Sequence, residues 1–364
     1  MANTTIATTD ALRKEQWEEK LFRDTMVESF FMGRFAGYSV QNLLKGMPFD
    51  STPNDILHVV TKLESKGKTK TREGDKITFG LIPRISPTTH PGVTSGQTLK
   101  GKEVALTWYN FSLELERYRQ AVSAGTPIDW HRAAFAMAPH GRAALLNWGI
   151  EKLDVLSINA LDVSTYSKIF YKTSSGVQGT DTWATAKAAL TAADGKLTPA
   201  MVSFIGAWCK TGGGRARVPI RPIYVDGKPY LVWVVHPDVL YDWKQDSTVF
   251  QAWREAQARG NDNPIFRGAS YIWDNNVIHE YENITTGTDA GTGAIPYAKC
   301  HVLGAQALCW AWGERPSLVE DTEDYEEELY YAWRMTGIAG KPNFNSLDYG
   351  SVMVALARTN VSGT

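Results

Sequence analysis

Apolar positions recur at helical spacing from residue 11 to 36. Leu12, Trp17, Leu21, Phe22 and Met26 share one side, and Lys14, Glu15, Glu18, Glu19 and Lys20 fill the gaps. The spacing predicts a helix. From Gly37 to Pro53 the period is lost and Gly46, Pro48 and Pro53 intervene, so this part reads as an N-terminal arm lying on another surface. The pattern changes to a period of two at Ile77, Phe79 and Leu81, which predicts a strand. Residues 83–101 are rich in Pro and Gly and carry little period. Strand alternation resumes at Val104, Leu106 and Trp108, then shifts phase to Tyr109, Phe111, Leu113 and Leu115. A one-residue shift in a period of two predicts a bulge or bend near Trp108. Residues 62–118 thus read as a long two-stranded arm with a weakly patterned tip. Such a ribbon is marginal in water and needs a surface, its own core or a neighbour.

Asp129 marks a further helix start, and Pro139 with Gly141 predicts an interruption. From Arg142 to Asp162 the helical period is long, with Leu146, Ile150, Leu153, Leu156 and Ala160 on one face. That helix would be about 30 Å long. Leu197-Thr198-Pro199 is a start signal, Thr as cap and Pro as first helical residue, for a helix to about Lys210. Asp226-Gly227 between Ile223–Val225 and Tyr230–Val235 predicts a hairpin. A helix carrying Leu240, Trp243, Phe250 and Trp253 follows Pro237. Short strands and turns fill 260–300. The tail alternates at Leu329, Tyr331, Trp333 and Met335, then at Val352, Val354 and Leu356. No fixed-period repeat is present, which excludes solenoids and propellers.

Composition narrows the class. The 364 residues carry 38 Lys plus Arg against 39 Asp plus Glu, so the strongly basic surface of a nucleic-acid clamp is excluded. Hydrophobic residues at 43% and charged residues at 21% describe a globular protein of about two domains. Thirteen Trp residues point either to interfaces or to sugar-stacking surfaces. No run of about 18 apolar residues crosses a bilayer, and residues 1–10 do not resemble a secretory signal. Cys209, Cys300 and Cys309 form an odd set without a close pair, which predicts reduced thiols and synthesis in a reducing cytoplasm.

Catalytic signatures fail one by one. Gly67-Lys68-Thr69 lacks the phosphate-loop glycine, because position 62 is Lys62. Gly212-Gly213-Gly214 reads as a hinge, and His279-Glu280 has no second His at helical spacing. The seven His residues are scattered. The run from Glu320 to Glu328 places seven acids in nine positions. It reads as a solvated face, a weak divalent-cation site, or a dock for a basic arm on another subunit. The Lys-rich stretch with Lys66, Lys68, Lys70 and Arg72 is a candidate for that arm. A Trp-rich glycan hydrolase is the enzymatic alternative, although spacing singles out no carboxylate pair.

Several segments resemble the major capsid proteins of tailed phages, in the group typified by the large-virion-polymerase podophages. They are Glu73-Gly74-Asp75 through Phe79, Leu99 to Glu103, Leu115 to Val122, Leu145 to Leu161, Pro219 to Pro222, Val235 to Asp238, Asn263 to Gly268, and Gly337 to Lys341 with Phe344 to Gly350. Together they span most of the chain from about residue 55.

The resemblance implies an α+β fold of the Hong Kong phage type. Residues 1–57 would be the N-terminal arm and 58–108 the extended hairpin called the E-loop. Residues 109–219 would form the peripheral domain with a spine helix at 142–162. Residues 220–325 would form the axial domain, and 326–364 would return strands to the peripheral domain. The implied function is a subunit that self-assembles into pentamers and hexamers of an icosahedral head around double-stranded DNA. The implied partners are other copies, a separate scaffolding protein, the portal, a decoration protein, and DNA by weak non-specific contact, without a membrane. No catalytic residue, cofactor or metal is expected; another virion part, such as a tail or decoration protein, is the structural alternative. Candidate inter-subunit contacts are Trp17, Phe22, Lys66, Lys68, Lys70, Arg72, Trp108, Glu323, Asp324, Glu326 and Glu327.

Overall fold

A computed structural model describes residues 28–35, 55–61, 75–81, 90, 92–106, 108–126, 137–212, 219–225, 227–246, 269–323 and 328–361. The helices are α1 (Phe30–Phe35), α2 (Met137–Leu161), α3 (Trp183–Ala188), α4 (Pro199–Thr211) and α5 (Pro237–Gln245). The strands run β1 (Leu57–Thr61), β2 (Lys76–Leu81), β3 (Tyr109–Glu114), β4 (Glu116–Ser123), β5 (Ile169–Thr173), β6 (Gly176–Thr180), β7 (Ile223–Val225) and β8 (Lys228–Val235). They continue as β9 (Ala269–Trp273), β10 (Asn276–Glu280), β11 (Thr286–Ala290), β12 (Ile295–Leu303), β13 (Leu308–Glu323) and β14 (Glu328–Gly340). The last are β15 (Asn343–Phe344), β16 (Leu347–Asp348) and β17 (Ser351–Ala357).

Two sheets organise the chain. A four-stranded sheet has the order β1-β13-β14-β4, and the nine-stranded sheet follows the path β6-β5-β17-β12-β8-β10-β9. Spine helix α2 packs on one face of the four-stranded sheet, where Leu145 and Leu153 join Trp310, Tyr331, Trp333 and Met335 in a single core. That core continues into one face of the larger sheet through Val232, Val234, Val277 and Leu303. Helices α4 and α5 cover the opposite face, burying Ile205, Leu240 and Trp243 against Trp233, Ile278, Cys300 and Val354. All seven residues of β17 are buried. A strand covered on both faces reads as a continuous apolar run, and Ser351-Val-Met-Val-Ala-Leu-Ala357 nearly is one.

The spine helix corrects the sequence reading twice. It begins at Met137, not at Arg142, and so is about 37 Å long. Pro139 does not interrupt it, because Pro139 is the third helical residue, where the missing N–H has no intrahelical acceptor to lose. The packed face is also rotated in the first half of the helix: Leu145 and Gly149 are buried where Leu146 and Ile150 are half-buried, while Leu153 and Ala160 of the expected face are buried and Leu156 is half-buried. Gly149 explains the rotation. A Cβ there would lie 2.8 Å from the Trp333 ring, so the missing side chain makes room for the indole.

Other starts follow the sequence. Thr198 and Pro199 open α4, although the Thr198 side chain makes no capping hydrogen bond, and Gly212 closes it with φ 67°. Gly227, with φ 76°, turns β7 into β8. Phe250, Trp253 and the expected helix start at Asp129 lie outside the described residues. The two tail strands, expected together, divide: β14 joins the four-stranded sheet and β17 the nine-stranded one.

Candidate assembly surfaces

The projecting ribbon is built in two parts. β2 and β3 pair in register from Lys76↔Glu114 to Leu81↔Tyr109. At the root, Ile77, Phe79, Phe111 and Leu115 pack on Leu113, Cys309, Ala311 and Ile338, on the sheet face opposite the spine helix. Gly340 leaves no room for a Cβ beside Leu113, which lets the ribbon lie close to β14. Phe111 also meets Phe344 edge-on at 6.2 Å. The protein's own body therefore supplies the surface that a marginal ribbon needs. Chain direction then breaks at Leu115, whose N–H donates to the Asp75 carbonyl at 2.6 Å, and β4 departs into the four-stranded sheet.

The tip is different. Val104 and Leu106 are not in a strand, contrary to the alternation, because the ladder to β2 ends at Tyr109. Each residue from Thr94 to Leu106 is exposed. Gly92, Gly96 and Gly101 adopt positive φ, and short turns such as Lys102 N–H to the Leu99 carbonyl at 3.0 Å shape the loop locally. Leu99, Leu106 and Trp108 are 61%, 58% and 67% exposed. Sequence reasoning singled out Trp108 as a contact but not Leu99, an apolar residue in a Gly-rich stretch without a period, nor Leu106, which the alternation placed in a strand.

The N-terminal arm touches the body at α1. The Asp154 carboxylate of the spine accepts from Ser29 Oγ at 2.7 Å and from the N–H groups of Phe30 and Phe31 at 2.9 and 3.1 Å. Burial raises the Asp154 pKa even though these donors and the Arg34 charge oppose the rise. Phe30 stacks on Tyr281 at 4.4 Å and Phe35 meets the His279 ring at 5.6 Å. Trp17, Phe22, Lys66, Lys68, Lys70, Arg72, Asp324, Glu326 and Glu327 lie outside the described residues.

Glu323 ends β13 at the tip of the long β13–β14 hairpin, directly opposite Glu328. Asp321 and Glu323 are exposed on the face away from the spine. Glu320 points to the other face and pairs with Arg142 of α2 at 2.5 Å. Farther down the same outward face, Arg119 of β4 is opposite Arg334 of β14, and Arg117 is opposite Thr336. Arg334 reaches Ser317 at 3.0 Å and Glu314 at 3.8 Å. The signal for this row was Arg117 and Arg119 two apart in a strand, which puts both on one face.

Chemically reactive groups are muted. Burial pushes the thiols of Cys209, Cys300 and Cys309 each up to about 12. Asp162 is hydrogen-bonded to His301 at 3.0 Å. Burial of Asp162 works against ionisation, but the bonds from His301 and Thr285 and the Lys299 charge outweigh it and lower its pKa. Lys341 and Asp348, both buried, pair at 2.8 Å, and Ser167 bonds to each. Among the described residues no group of three or more His, Cys, Asp or Glu is arranged to hold a metal ion. Five of the thirteen Trp residues, Trp233, Trp243, Trp310, Trp312 and Trp333, are fully buried and so unavailable for sugar stacking.

Solved structures place this architecture among phage capsids. The capsid of Ralstonia phage GP4 superposes with a TM-score of 0.72 at 22% identity, covering 99% of both chains. The capsid subunit of cyanophage Pam1 does so at 0.65 and 21% identity, covering 80% of this chain and 87% of that one. The fold is thus the tailed-phage capsid fold. A curated relative, the major capsid protein of Pseudomonas phage KPP25, is 26% identical over 338 residues, covering 79% of this chain and 86% of that protein. The phage capsid protein family model matches residues 5–355, and the chain belongs to that family. It is a major capsid protein, a self-assembling structural subunit of the virion shell, and the family supports this structural role over the hydrolase alternative.

Proposed function

We propose that the loop at 92–108 is the contact by which each subunit overlaps its neighbour within pentamers and hexamers of the shell. The observation that carries this is the contrast along one ribbon: a root packed on its own body and a tip whose Leu99, Leu106 and Trp108 are exposed. Covering those side chains with a neighbour gains apolar burial, at roughly 25 cal/mol per Å². Many such weak contacts, repeated around a closed shell, sum to a stable container.

In this reading residues 1–57 are the arm and 58–108 the E-loop. The spine helix and β4 belong to the peripheral domain of 109–219, to which β1, β13 and the returning β14 add the rest of the four-stranded sheet. Residues 220–325 supply most of the axial domain, which β17 completes. The arm carries Trp17 and Phe22 to neighbours, and the basic stretch with Lys66, Lys68, Lys70 and Arg72 sits at the E-loop base. A scaffolding protein, the portal and a decoration protein are partners during assembly. Packaged DNA touches the shell weakly, consistent with a net charge of −1.

The test is deletion of residues 84–100 together with Trp108→Ser, read by negative-stain microscopy. Both variants are expected to give folded subunits that form few or no shells. Normal shells from the deletion would overturn the E-loop assignment.

A further inference from the structure

We propose that the row formed by Arg117, Arg119 and Arg334 receives the acidic tip of the β13–β14 hairpin of a second copy of this chain. The inference rests on self-assembly and names a contact separate from the E-loop.

Two features of one sheet face motivate it. Arg119 and Arg334 are cross-strand partners, and so are Glu323 and Glu328 at the tip. Like charges directly opposite each other destabilise a sheet, so the isolated subunit carries two frustrated pairs of opposite sign. Arg334 is partly relieved by Glu314 and Ser317. Arg117 and Arg119 are exposed, and neither makes an ion pair among the described residues.

The two features cannot relieve each other within one chain. Six residues of β14 separate Arg334 from Glu328, which is about 20 Å along a strand held in a rigid sheet. Both lie on the outward face, because Glu328 is an even number of residues from Arg334, and Asp321 and Glu323 are even numbers from Ser317, the cross-strand partner of Arg334. A second copy supplies what the first lacks. Arg is suited to the role, since its planar fork binds a carboxylate through two parallel bonds. DNA phosphate is the other anion of a virion, but it would leave the acidic tip uncompensated.

Charge reversal in trans tests the contact. The row variant R117E/R119E and the tip variant D321K/E323K each convert a like-charged cross-strand pair into an opposite-charged one. Each subunit should therefore unfold at or above the wild-type temperature. Sedimentation velocity of each variant alone should show association weakened by about tenfold or more, and an equimolar mixture should recover it, because acidic rows then meet basic tips. Wild-type association should weaken as salt rises from about 50 to about 500 mM.

Wild-type association by either variant alone overturns the proposal, as does a folded mixture that fails to recover. A row variant that assembles normally but retains less DNA also overturns it and assigns the row to phosphate. A wild-type chain that never associates would instead sink the assembly reading itself.

Discussion

Asp154 of the spine helix and Ser29 of the N-terminal arm share a hydrogen bond of 2.7 Å between residues 125 apart in sequence. The same carboxylate takes the N–H groups of Phe30 and Phe31, so one buried side chain fixes the start of α1. Six helical residues do not hold together alone in water. The capping carboxylate and the Phe30–Tyr281 stack therefore decide whether the arm is docked.

Asp154→Ala should cost on the order of 2–4 kcal/mol, because it leaves three donors without their acceptor. Ser29→Ala should cost roughly 1 kcal/mol, since Phe30 and Phe31 keep theirs. Urea unfolding measures both, and equal small losses would show that the clamp contributes nothing. Limited proteolysis of D154A should also cut near residues 28–35 faster than in wild type.

Gly149→Ala opposes two effects of known sign. In an open helix the change stabilises by about 0.5–1 kcal/mol. Here the new methyl meets the Trp333 ring at 2.8–2.9 Å, and overpacking of that kind costs about 1–3 kcal/mol. The expected net result is destabilisation by roughly 1–2 kcal/mol, with W333F recovering part of it in a double-mutant cycle. A stabilised G149A would mean that the indole moves freely.

His236 gives the subunit a pH dependence of definite sign. Burial lowers its pKa below the ordinary 6.5, helped by Arg358 and opposed by Asp238 and Glu280. The folded state then binds fewer protons than the unfolded one. This contribution is present above about pH 6.5 and is lost as pH falls through the lowered folded value. His236→Asn keeps an acceptor for the Asp238 N–H, now made by His236 Nδ1 at 3.2 Å, and should flatten the stability slope between about pH 5 and 7. An unchanged slope would assign it to another group.

Local signals carried the elements, and long-range packing decided the rest. Pro199, Gly227 and the Ile77–Leu81 alternation are short-range devices, and each lies where its chemistry demands. The spine start was misread because Pro139 breaks an interior but suits a first turn, and only the position of Met137 tells which applies. The rotated spine face depends on Trp333, distant in sequence, filling the gap at Gly149. At the candidate assembly surfaces, Trp108 was visible as a phase break. The Arg119–Arg334 opposition was not, because register between β4 and β14 is a tertiary fact.

The three thiols offer a sharp test of the core. Cys209, Cys300 and Cys309 are buried, and burial raises each toward about 12; Lys210 opposes this at Cys209, and at Cys300 a backbone bond from His236 opposes it while the Asp162 charge adds to it. Only the thiolate attacks a disulfide reagent, so at about pH 8 all three are silent on two counts, access and ionisation. An aromatic disulfide reagent should find none in the native subunit and all three in urea. A native thiol that reacts within minutes would place its strand or helix on an opening segment.

Lys341 and Asp348 join the short β15–β16 excursion to the end of the spine, through Ser167 and the Val163 carbonyl. Phe344, between them in sequence, meets Phe111 at the root of the β2–β3 ribbon. The ion pair thereby braces the element on which the ribbon leans. Lys341→Met leaves a buried carboxylate uncompensated and should cost about 3–5 kcal/mol, whereas the double variant K341M/D348N should recover much of that. Hydrogen exchange should show the consequence beyond stability: faster exchange across 76–81 and 109–114 in K341M, and in Phe344→Ala, which leaves the charges intact. If F344A leaves those amides as protected as in wild type, the brace does not reach the ribbon, and the pair serves only the 341–348 turn.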